Sequence, residues 1–188
     1  MAKVTLNPVI EAIRGKVGDL VFRRWAGEEI VGRMPDRTGI VPSADQLAQQ
    51  DKFRLAALYG KAVLADPAAR TIYEDAGARH GTPAFAMSVG DFLNAPAVDE
   101  IDLAGYTGKT GEVIRVRASD DVEVKGVTVA IRAQGGAVLE EGLATFSTAS
   151  ATWQYTTTTT LTQGQAVVIE VSATDRPGHT TVQTQDRS

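Results

Sequence analysis

The chain contains no cysteine, which excludes disulfides and thiolate-held metals and leaves its redox compartment unreadable. Histidine is almost missing too. His80 and His179 are the only two, each beside a glycine-containing turn and neither with a second ligand at metal-binding spacing, so both read as surface residues. Long apolar runs are absent. The opening MAKVTLNPVIEAIRGKVG is broken at Asn7, Pro8 and Glu11, where a secretion signal needs an unbroken apolar segment, and nothing approaches the length of a membrane span. These absences predict synthesis in the cytoplasm and no membrane partner. A place in a particle or outside the cell would require a non-classical route. An excess of basic charge is also lacking: Lys and Arg number 19 against 23 Asp and Glu, for a net charge of -4. That balance argues against nucleic acid as the partner, because phosphate binding needs a concentrated basic surface.

Catalytic signatures are missing as well. There is no Gly-x-Ser-x-Gly elbow. Gly108-Lys109-Thr110 ends like a phosphate loop, but the motif needs a glycine where Leu103 stands and a helix where the pattern predicts strands, so it reads as a turn. The expectation is a protein that is not an enzyme and carries no cofactor.

What is present divides the 188 residues into three zones. Residues 15–35 suit a β-hairpin: Asp19-Leu20-Val21-Phe22-Arg23-Arg24-Trp25 and Glu28-Glu29-Ile30-Val31-Gly32-Arg33 flank an Ala26-Gly27 turn, Gly15 and Gly18 punctuate its entry, and Pro35 ends the ribbon. The stretch DRTGIVPS then reads as a linker. Residues 43–95 have helical spacing. Ser43 and Gln46 form a capping box; Leu47, Leu55, Leu58 and Ala62, with Phe53, Ala57 and Leu64, make one broad apolar face. Asp66-Pro67 and Thr82-Pro83 each signal a new helix, the first ending at Gly77 or Gly81. From about residue 98 the period becomes two: Ile114, Val116 and Ala118; Val127, Val129 and Ile131; Trp153 and Tyr155; Ile169, Val171 and Ala173. Further strands near Ile101, Leu139 and Val182 bring the number to about seven, which an immunoglobulin-like sandwich needs. Trp153 is expected in its core beside Val129 and Ile169, and the threonine run YTTTTTLT as one long strand. The fold class is therefore α+β: an N-terminal β-hairpin and three-helix segment over 1–97, then an immunoglobulin-like antiparallel β-sandwich over 98–188.

The segments VRASDDVEVKGVTVAI and VVIEVSATDRPGHTT resemble bacterial immunoglobulin-like or fibronectin-type modules, in which Asp120, Asp121, Asp175 and Gly178 hold recurring loop places. The N-terminal half resembles uncharacterised bacterial proteins that begin with a Gly-Lys-Val-Gly hairpin, here Gly15 to Gly18, and continue into a helix headed by a Ser/Thr-x-x-Gln pattern, here Ser43 and Gln46. The first resemblance implies the sandwich. The second lends no support to a catalytic role.

Three sets of residues stand out as candidate sites. Asp120, Asp121 and Asp175, on loops at one end of the sandwich, are candidate ligands for a hard cation such as calcium; the competing reading has these side chains capping backbone amides. The pairs Glu28-Glu29 and Glu140-Glu141 read as solvated edge charge, since adjacent strand residues face opposite sides. The hairpin carries the third set. Leu20, Phe22, Arg24, Trp25, Ile30 and Val31 place apolar groups on both faces of a ribbon with no visible third strand, and a two-stranded ribbon is marginal in water. Two covers are open to it, its own helices through Leu58, Tyr73 or Phe85, or a neighbouring copy. The leading reading is the second, an intersubunit contact in a self-assembling subunit of a bacterial filament or phage-like particle, a homo-oligomer or polymer of itself. The alternative is a binding module in which loops 120–125, 148–151 and 175–178 take a glycan or protein.

Overall fold

The structure of this chain, a computed structural model, describes residues 2–3, 13–25, 27–36, 39, 41–162 and 164–187. Asn7, Pro8, Glu11, the turn residue Ala26, the linker residues Arg37, Thr38 and Ile40, and Gln163 lie outside them. The architecture is α+β, with strands, then three helices, then an antiparallel sandwich. Two compact units divide the chain, Met1–Ala44 and Asp45–Ser188. The boundary expected near residue 97 falls within the second.

The first unit is a small antiparallel sheet. Its strands are β1 (Ala2–Lys3), β2 (Gly15–Val17), β3 (Leu20–Trp25) and β4 (Glu28–Arg33), in the order β1-β4-β3-β2. The expected hairpin is β3 and β4, but it is not a lone ribbon. β2 folds back along β3, setting Gly15 opposite Phe22 and Val17 opposite Leu20, and β1 pairs with β4 through Ala2 and Val31. No alternating pattern marks Gly15 to Val17 as a strand, yet a three-residue strand needs only free backbone groups to pair. Trp25 pairs with Glu28, which leaves two residues for the turn, and Gly27 takes φ +85°, the left-handed region such tight hairpins demand. The amide of Met34 donates to the Asp19 carbonyl at 2.7 Å, closing the open end.

The second unit begins with α1 (Ala44–Val63), α2 (Pro67–His80) and α3 (Ala84–Leu93). α1 starts directly after Ser43, where the sequence sets its cap. Asp66 accepts a hydrogen bond from the Ala68 amide at 3.1 Å, Pro67 opens α2, and Gly81 at φ +64° ends it. Thr82 does not cap α3: its hydroxyl donates to the His80 carbonyl, and the helix opens after Pro83. The helical core is thin, with Tyr73, Ala76 and Met87 buried around Val122, which the sandwich supplies. α1 meets α3 at Gly60, where a Cβ would lie 2.7 Å from the Ser88 Oγ and 3.2 Å from the Phe85 ring. The small residues Ala56 and Gly60 are therefore what α1 buries. Leu47, Phe53, Leu55 and Leu58, expected on its packing face, are each about half exposed.

The sandwich comprises β5 (Ala97–Asp102), β6 (Val113–Ser119), β7 (Val124–Ala133), β8 (Val138–Leu143), β9 (Thr145–Ser147), β10 (Thr152–Thr156), β11 (Val167–Asp175) and β12 (Thr180–Arg187). One sheet runs β5-β6-β10-β9 and the other β12-β11-β7-β8. That is the immunoglobulin-like pairing of a four-strand sheet with a three-strand sheet, here extended by β8. The alternation dictates the core. Ile114, Val116, Val127, Val129, Ile131, Ile169, Val171 and Ala173 are fully buried. Arg115 and Arg117 turn outward to Asp102 at 3.7 Å and Glu100 at 3.6 Å. Trp153 sits partly buried at the margin of this core, its ring centroid 5.4 Å from that of Phe146. The threonine run departs from expectation. β10 ends at Thr156, and Thr157 to Thr162 leave the sheet because other groups satisfy their backbone. Glu140 accepts from the Thr158 and Thr159 amides at 2.5 and 2.9 Å, and the Leu161 amide donates to Gly108.

Candidate functional site

The hairpin residues proposed for an interface occupy both faces of the N-terminal sheet. Strand register puts Leu20, Phe22, Arg24 and Val31 on one side and Trp25 and Ile30 on the other. Trp25 is 72% exposed and Leu20 44%; Phe22, Ile30 and Val31 are half-buried. Among the described residues from 13 to 44, not one is buried. Arg24 approaches Glu29, its cross-strand neighbour, at 3.9 Å and donates through Nε to the Gly27 carbonyl at 3.3 Å. The unit thus presents apolar and aromatic side chains on two faces, with arginines beside them, and encloses no core among its described residues from 13 to 44.

The loops that carry Asp120 and Asp175 are joined by the Glu123–Arg176 pair, and backbone and helix groups engage the loop aspartates. Asp120 accepts from the Val122 and Glu123 amides, both at 3.0 Å. Asp175 is buried, accepts from the Gly178 and His179 amides at 2.7 and 2.6 Å, and contacts the His179 ring nitrogen Nδ1 at 2.8 Å. Asp121 accepts from the Asn94 side chain at 2.7 Å. No group of three or more His, Asp or Glu among the described residues is arranged to hold a metal ion. The amide-capping reading accounts for Asp120 and Asp175. The helices come to the same loops: Phe92 meets His179 edge-on at 5.7 Å, and Val122 is buried among residues of α2 and α3. Glu123 pairs with Arg176 at 3.0 Å.

At this joint lies a polar line that sequence reasoning missed. Tyr59 and Tyr73 share a hydrogen bond of 2.8 Å, and the Tyr73 hydroxyl donates to Asp91 Oδ2 at 2.5 Å. Asp91 is fully buried and its Oδ1 has no partner. Burial pushes its carboxyl up to about 7; the Tyr73 bond opposes this, while the negative charges of Asp120 and Asp175 and a carboxyl contact with Asp120 add to it. Burial, then the hydrogen bond to Asp91, raises the Tyr73 hydroxyl far above its ordinary value. The available signal was Asp91 itself, a carboxylate four residues after Met87 on the packing side of an apolar helix.

Two further carboxylates act as local anchors. Glu140 is 7% exposed and not the solvated edge charge expected; strand alternation turns it inward and Glu141 outward. Besides the two threonine amides it accepts from the Tyr155 hydroxyl at 2.8 Å and the Thr158 hydroxyl at 2.9 Å. Burial pushes its pKa up, but these hydrogen bonds outweigh burial and hold it below the ordinary carboxylate value. Glu112 fills the turn that looked like a phosphate loop. It accepts from the Thr107 amide and hydroxyl, each at 2.6 Å, and the Lys109 amide at 2.9 Å. Led by the Thr107 side chain, these bonds lower its carboxyl to about 2. The turn does cradle an anion, and the anion is the chain's own.

A cleft of about 540 Å³ opens beside the joint, lined by Arg79, Ser119, Asp120, Glu123, Phe146 and Trp153 among others.

No family model matches this chain, and no curated protein matches it. Among solved structures, CopC from Methylosinus trichosporium OB3b is similar over 48% of this chain and 89% of its own, at 14% identity and a TM-score of 0.36. A conjugative transposon lipoprotein from Bacteroides eggerthii DSM 20697 is similar over 48% of this chain and 92% of its own, at 12% identity and a TM-score of 0.26. Likenesses at these scores carry no argument about what this chain does.

Proposed function

We propose that this chain is a non-enzymatic structural protein, a self-assembling subunit of a bacterial filament or phage-like particle, whose N-terminal sheet makes the contact between subunits. The observation that carries this reading is the sheet that has Leu20, Phe22, Trp25, Ile30 and Val31 on its two faces and no buried residue among those described from 13 to 44. Apolar side chains on both faces of a thin sheet gain by being covered, and aromatic residues with neighbouring arginines are the usual anchors of protein contacts. A sheet given by one copy and received by the next makes a head-to-tail contact, which repeats into rings or open filaments. Negative-stain microscopy of purified full-length protein tests this. Regular polymers or rings are expected, and monodisperse single particles at high concentration would contradict it.

A second reading, a module that takes a glycan, draws support from the cleft beside Trp153, Phe146 and Arg79. Aromatic faces with a few polar groups at their rim suit sugar rings. Titration of the protein with a panel of oligosaccharides, followed by Trp fluorescence, tests it. A saturable change lost in Trp153→Ala supports this reading, and no response across the panel removes it.

A further inference from the structure

The first three turns of α1 bury nothing: every residue from 44 to 55 is exposed. The helix packs through Ala56 and Gly60 and, at its inner edge, through Tyr59, whose ring lies 5.2 Å from Phe92. At 100° per residue, Leu47, Asp51, Arg54 and Leu58 fall in one line on the side turned away from Ala56. Leu47 is 50% and Leu58 53% exposed, and Leu55 flanks them. Asp51 and Arg54 pair with each other at 3.3 Å along the helix surface, both open to solvent.

The order of these four residues is self-complementary when reversed. The midpoint of the line lies between Lys52 and Phe53. Leu47 and Leu58 stand equally far from it on either side, and so do Asp51 and Arg54. A second α1 laid antiparallel, with a twofold axis at that midpoint, sets each Leu47 against the second copy's Leu58. It also sets each Asp51 against the second copy's Arg54. Parallel alignment would instead oppose like charges and is disfavoured. We propose that α1 docks antiparallel on α1 of a second copy of this chain, through Leu47, Asp51, Arg54 and Leu58. The contact is small, so it is weak and concentration-dependent in isolation and gains strength where other contacts hold copies together. It does not rest on the sheet-mediated assembly: a twofold contact closes on itself as a dimer, whereas the sheet contact is head-to-tail.

The absence of native cysteine allows a direct test in full-length protein. Leu47→Cys and Leu58→Cys are made as separate proteins and oxidised alone and mixed. The antiparallel register brings position 47 of one copy to position 58 of the other, but leaves two copies of position 47 about 16 Å apart, too far for a disulfide. The expected result is a disulfide dimer from the mixture and little from either protein alone. No crosslink in the mixture, or equal crosslinking in all three samples, would overturn the proposal. Sedimentation velocity gives an independent reading in a Phe22→Ala/Trp25→Ala background, where sheet-driven polymers do not mask the dimer. Asp51→Arg or Arg54→Asp alone should weaken the dimer about tenfold, and the double reversal should restore it, with helix content by circular dichroism unchanged throughout. A dimer indifferent to the single reversals, or a double variant as weak as the singles, would count against the α1 contact while leaving the sheet reading untouched.

Discussion

Glu140 shows what one side chain does here: it replaces a strand. Its carboxylate takes the hydrogen bonds that Thr158 and Thr159 would otherwise give to a neighbouring strand, and it anchors Tyr155 as well. Glu140→Ala leaves these donors buried or unmatched, so a loss of about 2–4 kcal/mol is expected in urea denaturation. Glu141→Ala, one residue away on the outer side, should change stability by less than about 0.5 kcal/mol. Equal effects would mean that the inward turn of Glu140 is wrong. The sequence concealed this because the partner of Glu140 lies 18 residues further on, and nothing local marks the meeting. Asp91 makes a second test at this scale. Its native carboxyl is held up to about 7 against an ordinary 3.8, so the native state keeps a proton that the unfolded chain has already released. Between pH 3.8 and about 7 this lowers stability as pH rises, and the penalty stays constant above that window. Asp91→Asn keeps an acceptor for Tyr73 and carries no charge. Relative to wild type, its melting temperature should be higher at pH 8, with the difference shrinking as pH falls toward 3.8. A difference that does not vary with pH would remove the buried-acid account.

At the scale of elements, period-two and period-3.6 patterns made most of the fold legible. The alternation in β6, β7 and β11 specified which side chains enter the core, and Asp66-Pro67 marked the start of α2. Illegible elements were the short strands β1, β2 and β9, whose two or three residues are too few to show a period. The apolar face of α1 was legible as a pattern but not as a contact, because small residues, not large ones, set the approach to α3 at Gly60. The loop aspartates were legible as turn residues, yet the amides and helix groups that engage them lie where no local pattern marks them. The division of cores yields a prediction. Among the described residues, the sandwich core draws on residues from 98 onward, so a fragment of 97–188 should fold with a cooperative melt. The helices bury Tyr73, Ala76 and Met87 around Val122, so a fragment of 44–96 should lack a cooperative transition. The reverse outcome, stable helices and a molten sandwich fragment, would place the organising core on the other side of the joint.

For the whole molecule, two units of unlike character follow one another. Asp45–Ser188 contains the two clusters of buried residues found among the described residues, and in Met1–Ala44 no described residue from 13 to 44 is buried. A unit with apolar groups on both faces and no buried residue among those described from 13 to 44 is suited to being completed by another chain, which is the central claim. The most direct test measures mass by light scattering together with helix content by circular dichroism, on full-length wild type, Phe22→Ala and Trp25→Ala. Assembly through the sheet predicts a wild-type mass well above that of one chain, a large fall in mass in both variants, and unchanged helix content. A monomeric wild type, or variants that lose helix while keeping their mass, would contradict it.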